Sequence, residues 1–232
     1  DDKDFEWLIV DDGSSDGTDK LVEEYKKENI LNIRYFYKEN GGKQRAVNLG
    51  VEKSQGEYFF IVDSDDFLSF DAVLKIKEYA LSLPKNFGGM VFRKINIREK
   101  DYEKIKFTEK YLDTNPVDIV FKYNILGDKG EIFKTEVLKK YPFPEIKGEK
   151  FVPEGYIWNK IGQDYTLRYI DYGIYFFEYL PDGYTNNFKR DLKRNPKGFG
   201  LYYKDMISYN IPIKFKIKFL LRYLQTKWFV HF

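Results

Sequence analysis

Two runs of acid stand where an apolar segment stops. Phe59-Phe60-Ile61-Val62 leads into Asp63-Ser64-Asp65-Asp66, and Phe5 to Val10 leads into Asp11-Asp12. Asp is a common turn and helix-cap residue, and Asp16, Asp19 and Asp71 are read in that way. Three acids in four positions after Val62 exceed what a cap requires. Carboxylates held close together raise one another's pKa and oppose folding unless a cation neutralises them. A divalent manganese or magnesium ion does so, sitting between one or two carboxylates and substrate phosphates. Asp65 is the ligand expected, with Asp63 as a second candidate and Asp66 as a cap for the following turn.

Between the acidic runs lies Asn40-Gly41-Gly42-Lys43-Gln44-Arg45. Paired glycines before a helix let the backbone approach an anion, and the helix N-terminus with Lys43 and Arg45 supplies positive potential. The stretch has neither Walker spacing nor a dinucleotide fingerprint. Cysteine is absent, so disulfides and thiolate-bound metal have no residues to form them, and a single histidine, His231, argues against a zinc site. Any metal is then a hard cation on carboxylates. The 39 basic and 37 acidic side chains give a net charge of +2, which does not point to nucleic acid as a partner.

The elements that must position these residues alternate as in a parallel α/β layer. Strands are expected at Glu6 to Val10, Ile33 to Tyr37, Glu57 to Val62 and Gly89 to Ile95, with helices at Thr18 to Glu28, Gly42 to Ser54 and Asp71 to Leu83. The fold class is α/β, a mainly parallel Rossmann-like sheet flanked by helices, where ligands gather beyond the carboxyl ends of the strands. Further on, Arg98 to Asn115 reads as a polar loop. Gly130 to Lys134 reads as a strand, followed by a capped helix over Thr135 to Tyr141. Glu154 to Ile161 is read as helical, Leu167 to Leu180 as extended, and Pro196 to Phe232 as mostly helical. No Ser/Gly/Pro linker divides the 232 residues, so one domain is expected over 1–195, with a helical extension over 196–232. No leader and no run of about 18 apolar residues is present, which makes the cytoplasm the default location. The chain opens on Asp1 without an initiator methionine and passes directly into a strand, so the natural protein is expected to begin upstream.

Val10-Asp11-Asp12-Gly13-Ser14-Ser15-Asp16-Gly17-Thr18, Asn40-Gly41-Gly42-Lys43, Ala46-Val47-Asn48-Leu49-Gly50, Gly56-Glu57-Tyr58 and Asp63-Ser64-Asp65-Asp66 together resemble family 2 glycosyltransferases. The match runs in unbroken order from Phe5 to Leu83. The resemblance implies a GT-A fold, an inverting reaction, a nucleoside-diphosphate sugar donor (UDP-sugar) and a divalent metal. It implies that Asp12 binds the donor base, that Asp63 and Ser64 lie near the ribose, that Asp65 ligates the metal, and that Lys43 and Arg45 lie beside the nucleotide. About 1–95 would form the donor half and about 96–195 the acceptor half. Family members normally begin with a further strand, loop and helix, which nothing before Asp1 supplies.

An inverting transfer needs a carboxylate to take the acceptor hydroxyl proton. Glu154, after Pro153 and at the start of a helix, stands where the family usually carries that acid. Many members show two adjacent acids there, whereas this chain has Glu154-Gly155. Asp164 and Glu149 are competitors, and a first-turn acid serving the helix dipole is the plainer reading of Glu154. Trp158, one turn on, falls on the same face and is read either as a sugar platform or as core.

From Pro212 onward, Ile213, Ile217, Leu220, Leu221, Leu224 and Trp228 share one face, which is expected to dock on the domain. Phe215, Phe219 and Tyr223 form a second stripe beside Lys214, Lys218 and Arg222. That basic-aromatic edge is the one expected to meet an anionic membrane surface, where a lipid-linked acceptor would be found; a homodimer interface is the competing use. The functional expectation is sugar transfer to a polysaccharide or glycolipid. A nucleotide-sugar or glycan-binding module without turnover and a sugar nucleotidyltransferase are the alternatives.

Overall fold

The computed structural model describes residues 4–98, 110–178 and 187–231. In chain order the elements are β1 (Glu6–Asp11), α1 (Thr18–Glu28), β2 (Asn32–Tyr37), α2 (Lys43–Lys53), β3 (Tyr58–Phe60), β4 (Phe67–Leu68), α3 (Ala72–Leu81) and β5 (Phe87–Asn96). They continue with β6 (Tyr111–Thr114), α4 (Pro116–Phe121), β7 (Lys129–Lys134), α5 (Thr135–Leu138), α6 (Gly155–Asp164), β8 (Thr166–Phe177), α7 (Phe188–Arg194), α8 (Pro196–Ser208) and α9 (Ile213–His231).

The α/β class stands, but the sheet is mixed rather than mainly parallel. β1 and β2 form a separate parallel pair. The main sheet runs β3-β7-β5-β8-β4, with β6 also on β8. Within it only β5 and β8 are parallel; β7 runs antiparallel to both neighbours, and β4 and β6 run antiparallel to β8. Hydrophobic patterning marks strands without naming their neighbours, and β7 and β8 enter the sheet from the second half of the chain. The β1–β2 pair is tied to the end of α2 through Glu6, which accepts Gln55 N–H at 2.6 Å and pairs with Arg34 at 2.7 Å, while Arg34 also donates to the Lys53 carbonyl at 2.8 Å.

Both faces of the main sheet are covered. Val91, Phe133, Leu167 and Tyr169 pack beneath Val47 and Val51 of α2 and Ile157, Trp158 and Ile161 of α6. Met90, Phe92, Ile132, Ile170 and Ile174 face Ala72 and Tyr79 of α3. Adjacent residues of β5 and β7 thus enter opposite cores, as strand alternation requires.

Three local expectations change. The polar stretch Arg98 to Asn115 includes β6, which pairs with β8 some fifty residues on; residues 99–109 lie outside the described ones, as do 179–180 of the expected Leu167 to Leu180 strand. Arg168 grips Asp113 with two bonds of 2.9 Å and stacks on Tyr111 at 3.8 Å, a contact no local pattern announces. Thr135 does not cap its helix; its hydroxyl donates to the Gly56 carbonyl at 2.6 Å. The best capped helix is α4, where Asn115 accepts from Val117 and Asp118 N–H and Pro116 fills the first turn.

The third change concerns α9, whose two apolar stripes are exchanged relative to expectation. Phe215 and Phe219 pack inward against Phe121, at ring distances of 5.0 and 6.5 Å, and Phe219 also meets Tyr202 and Tyr203 of α8. Thr226 is buried against Gly200, and Arg222 lies over Phe188. The aliphatic stripe instead faces solvent, with Ile213 71%, Leu221 63% and Trp228 58% exposed. The aromatic stripe wins the interior because α4 and α8 already present rings to it.

Candidate active site

The turn after β1 closes on itself. Asp11 is buried and accepts Ser14 N–H at 2.7 Å and the Tyr35 hydroxyl at 2.6 Å. Burial raises its carboxyl, but those bonds more than compensate and leave it below the ordinary value. Asp12 accepts Gly41 N–H at 2.9 Å, Gly42 N–H at 2.7 Å and Lys38 Nζ at 2.5 Å. The backbone donors expected to greet a phosphate are therefore engaged by Asp12. Gly42 is required for this turn: its φ is +97°, and a Cβ there would stand 2.0 Å from the Lys150 carbonyl oxygen.

The first turns of α2 hold a distant, irregular segment in place. Gln44 donates to the Val152 carbonyl at 2.8 Å, and Asn48 exchanges two bonds of 2.9 Å with the main chain of Phe143. Arg45 donates to the carbonyls of Gly41, Ile146 and Glu149 at 2.7, 2.9 and 3.2 Å, and its Nε lies 3.4 Å from Glu145. Arg45 is thus a staple between α2 and residues 145–149. The segment it holds ends at Pro153 and delivers Glu154 to the first turn of α6.

There the two halves of the chain meet. Lys43 Nζ lies 2.5 Å from Asp63 Oδ1 and 2.9 Å from Glu154 Oε1. Burial opposes a charge on Lys43, but the carboxylates of Glu154 and Asp63 outweigh it and hold the amine above its ordinary value. Asp63 is likewise raised by burial and lowered by more through Lys43 and Lys94. Glu154 Oε1 is shielded from solvent and has no aligned hydrogen bond. Lys94, from β5, stands 3.8 Å from Asp63 and 3.6 Å from Asp66, over the ring of Tyr175 at 3.8 Å. The buried Tyr175 hydroxyl accepts Asp63 N–H at 2.9 Å and bonds the Asp66 carboxylate. Asp66 is therefore more than a cap: burial raises its carboxyl, and its side chain is only 8% exposed.

A further acid lies close by. Glu131 of β7 shares a cross-strand row with Val91 and Tyr169, so its side chain points to the α6 side of the sheet. Burial, then the charge of Glu154, push it up to about 8. Burial also lowers its neighbour Lys129. Patterning overlooked Lys94, Glu131 and Tyr175 because each sits in a strand and reaches the site only through the sheet. The available signal was charge set against an apolar run, Arg93-Lys94 after Met90-Val91-Phe92 and Glu131 before Ile132-Phe133.

The competitors of Glu154 have other engagements. Glu149 accepts Lys197 and Gly198 N–H at 2.9 and 2.8 Å, at the first turn of α8. Asp164 accepts the Tyr141 hydroxyl at 2.5 Å, at the far end of α6. Trp158 is core, 6% exposed, between Phe133 and Phe143. Gly155, where a second acid would follow, has the Tyr202 ring 3.3 Å from its Cβ position.

Ser64 and Asp65 are exposed at the turn after Val62. Among the described residues no group of three or more potential ligands is assembled. A magnesium-type ion needs no such cage, since it takes one or two carboxylates and fills its shell with phosphate and water. Asp65, exposed beside Asp63, fits that donor set.

Comparison with known proteins bears on the family and the fold. A family model, Glycosyl transferase family 2, matches residues 1–141, which include Asp12, Lys43, Asp63 and Asp65 and stop short of Glu154. An uncharacterized glycosyltransferase of Rickettsia felis is 38% identical over 106 residues, 44% of this chain and 17% of the relative. A poly(ribitol-phosphate) beta-glucosyltransferase of Bacillus spizizenii is 28% identical over 180 residues, 72% of this chain and 27% of the relative. The chain therefore spans only a fraction of the length of these relatives. The crystal structure of S. aureus TarS 1-349 in complex with UDP-GlcNAc superposes with a TM-score of 0.65 at 18% identity, covering 96% of this chain and 63% of that one. The shared fold is the GT-A glycosyltransferase fold. With the match spanning both acidic turns and the two helices between them, the chain belongs to glycosyl transferase family 2.

Proposed function

We propose that this protein transfers a sugar from a UDP-sugar to a hydroxyl of a polysaccharide or glycolipid, with inversion, Glu154 acting as base. The observation that carries this reading is the Lys43 bridge, which sets Glu154 of the second half against Asp63 of the donor-side cluster. Complexes of S. aureus TarS with UDP and with UDP-GlcNAc support the donor class. Relatives named as acting on poly(ribitol-phosphate) and dolichyl-phosphate support an acceptor of polymer or lipid type.

In this reading Glu154 takes the acceptor proton as the acceptor oxygen bonds the anomeric carbon and the bond from that carbon to the diphosphate breaks. Lys43 keeps the carboxylates of Glu154 and Asp63 from repelling one another. Glu131, held protonated by burial at neutral pH, adds no further negative charge beside Glu154. Asp65, with Asp63 beside it, would hold magnesium or manganese, which supplies neutralisation of the charge on the departing diphosphate.

The test is UDP release from a panel of UDP-sugars, with and without manganese. Glu154→Gln is expected to lower turnover by about 10²–10⁴-fold and spare donor binding. Asp65→Asn is expected to remove both turnover and metal-dependent binding. Unchanged turnover in Glu154→Gln would reject the assigned base. Release of pyrophosphate would identify a nucleotidyltransferase, and donor binding without turnover in the parent protein a binding module.

A further inference from the structure

We infer that the outward face of α9 is a docking surface for an anionic lipid bilayer, on which the helix lies flat. At roughly 100° per residue, Ile213, Ile217, Leu220, Leu221, Leu224 and Trp228 fall within a single arc of about 100°. All six are exposed, the least of them, Leu220, at 44%. The opposite side of the helix is already occupied, since Phe215, Phe219, Tyr223 and Phe229 pack on the domain. The five aliphatic residues of the stripe are therefore turned to solvent after docking, and they are too many and too continuous to be ordinary scattered surface apolarity.

Charge identifies the occupant. Projected on the same wheel, Lys214 and Lys218 border the stripe on one side, and Lys216 and Lys227 on the other. No Asp or Glu occurs in Ile213–His231. An aliphatic centre with Trp, flanked on both sides by lysines whose stems can lie along apolar surface, is the form that settles at the headgroup boundary. Anionic headgroups answer the lysine rows and acyl chains cover the stripe. A second copy of this chain fits less well, because pairing stripe to stripe would set lysine rows against lysine rows with no acid to answer them. No helix among the described residues is long and apolar enough to cross a membrane, so the contact is one of lying on the surface.

The surface is joined to the candidate active site through packed side chains. Phe219 of α9 meets the ring of Tyr202 at 6.2 Å, and Tyr202 lies against Gly155, next to Glu154. The inference itself does not depend on the reaction proposed above, and its test reads lipid binding alone.

The full chain is floated with vesicles of phosphatidylcholine alone and of phosphatidylcholine with phosphatidylglycerol. Binding is expected to be about tenfold stronger to the anionic vesicles and to weaken with added salt. Leu221→Glu/Leu224→Glu should abolish flotation while melting at the parent temperature, because both side chains are already exposed. Lys214→Glu/Lys218→Glu should reduce binding about tenfold. Failure of the parent to bind anionic vesicles overturns the inference, as does undiminished flotation of Leu221→Glu/Leu224→Glu. A parent dimer in light scattering that the leucine variant dissolves, with no vesicle binding by either protein, would assign the stripe to self-association instead.

Discussion

The acidic turn after β1 and the acidic cluster after β3 begin alike, as an apolar segment running out into carboxylates, yet they are neutralised in different ways. Asp11 and Asp12 are satisfied mainly by main-chain N–H groups and by Tyr35 and Lys38, all within about thirty residues. Asp63 and Asp66 depend on Lys43, Lys94 and Tyr175, and Glu154 joins them through Lys43. A turn satisfied by its own backbone is finished as structure. A cluster balanced by lysines from separate elements keeps charge that can respond to a substrate, because an ion pair can exchange partners where a capped backbone cannot.

This contrast can be broken at its strongest point by Lys43→Met. Removing the shared cation leaves Asp63 and Glu154 facing each other, and turnover is expected to fall at least about 100-fold, with a stability loss of about 2 kcal/mol for a pair that is partly solvated. UDP release and urea unfolding read the two effects, and an active, equally stable variant would show that Lys43 joins nothing of consequence.

The first turn should respond through stability. Asp12→Ala deprives Gly41 and Gly42 of their acceptor and is expected to cost about 1–3 kcal/mol, measured by urea unfolding. A loss of donor affinity at unchanged stability would support the base-binding role that the family resemblance implies for Asp12, and the two turns would then be alike in function.

The smallest effect on turnover is expected at Glu131, where pH sharpens the comparison through stability. Its folded pKa, pushed up to about 8, lies above the free value of 4.5, so folding takes up a proton. Stability from this group is complete below 4.5 and declines as pH rises toward about 8. Glu131→Gln removes that slope and should be more stable than the parent by at least about 1 kcal/mol at the alkaline end. Parallel pH profiles of the urea midpoint for the two proteins would mean that Glu131 ionises as freely as in the unfolded chain.

Much of the first third was legible in the residues themselves. Glu6 to Val10, Thr18 to Glu28 and the helix after Gly42 formed close to expectation, because strand alternation, turn glycines and helix periodicity are local properties. Glu154 was singled out by its place after Pro153, at a helix start and at the family's usual position for an acid, and it does stand at the start of α6. The partners of Arg45 were not legible, because the segment 145–149 that presents its carbonyls lies a hundred residues away. β6 was missed because its partner, β8, lies far along the chain.

The sequence by itself determined most of the strands and helices of the first third, that carboxylates would end two of the apolar segments, and that no thiolate was available to a metal site. Those features follow from the residue types and their immediate neighbours. Only the tertiary structure decided that β7 and β8 enter the main sheet, that Lys94, Glu131 and Tyr175 join the acids, and which stripe of α9 turns inward. Periodicity shows that a helix has two apolar faces, but the face that is buried is set by the rings of Phe121, Tyr202 and Tyr203 waiting on other elements.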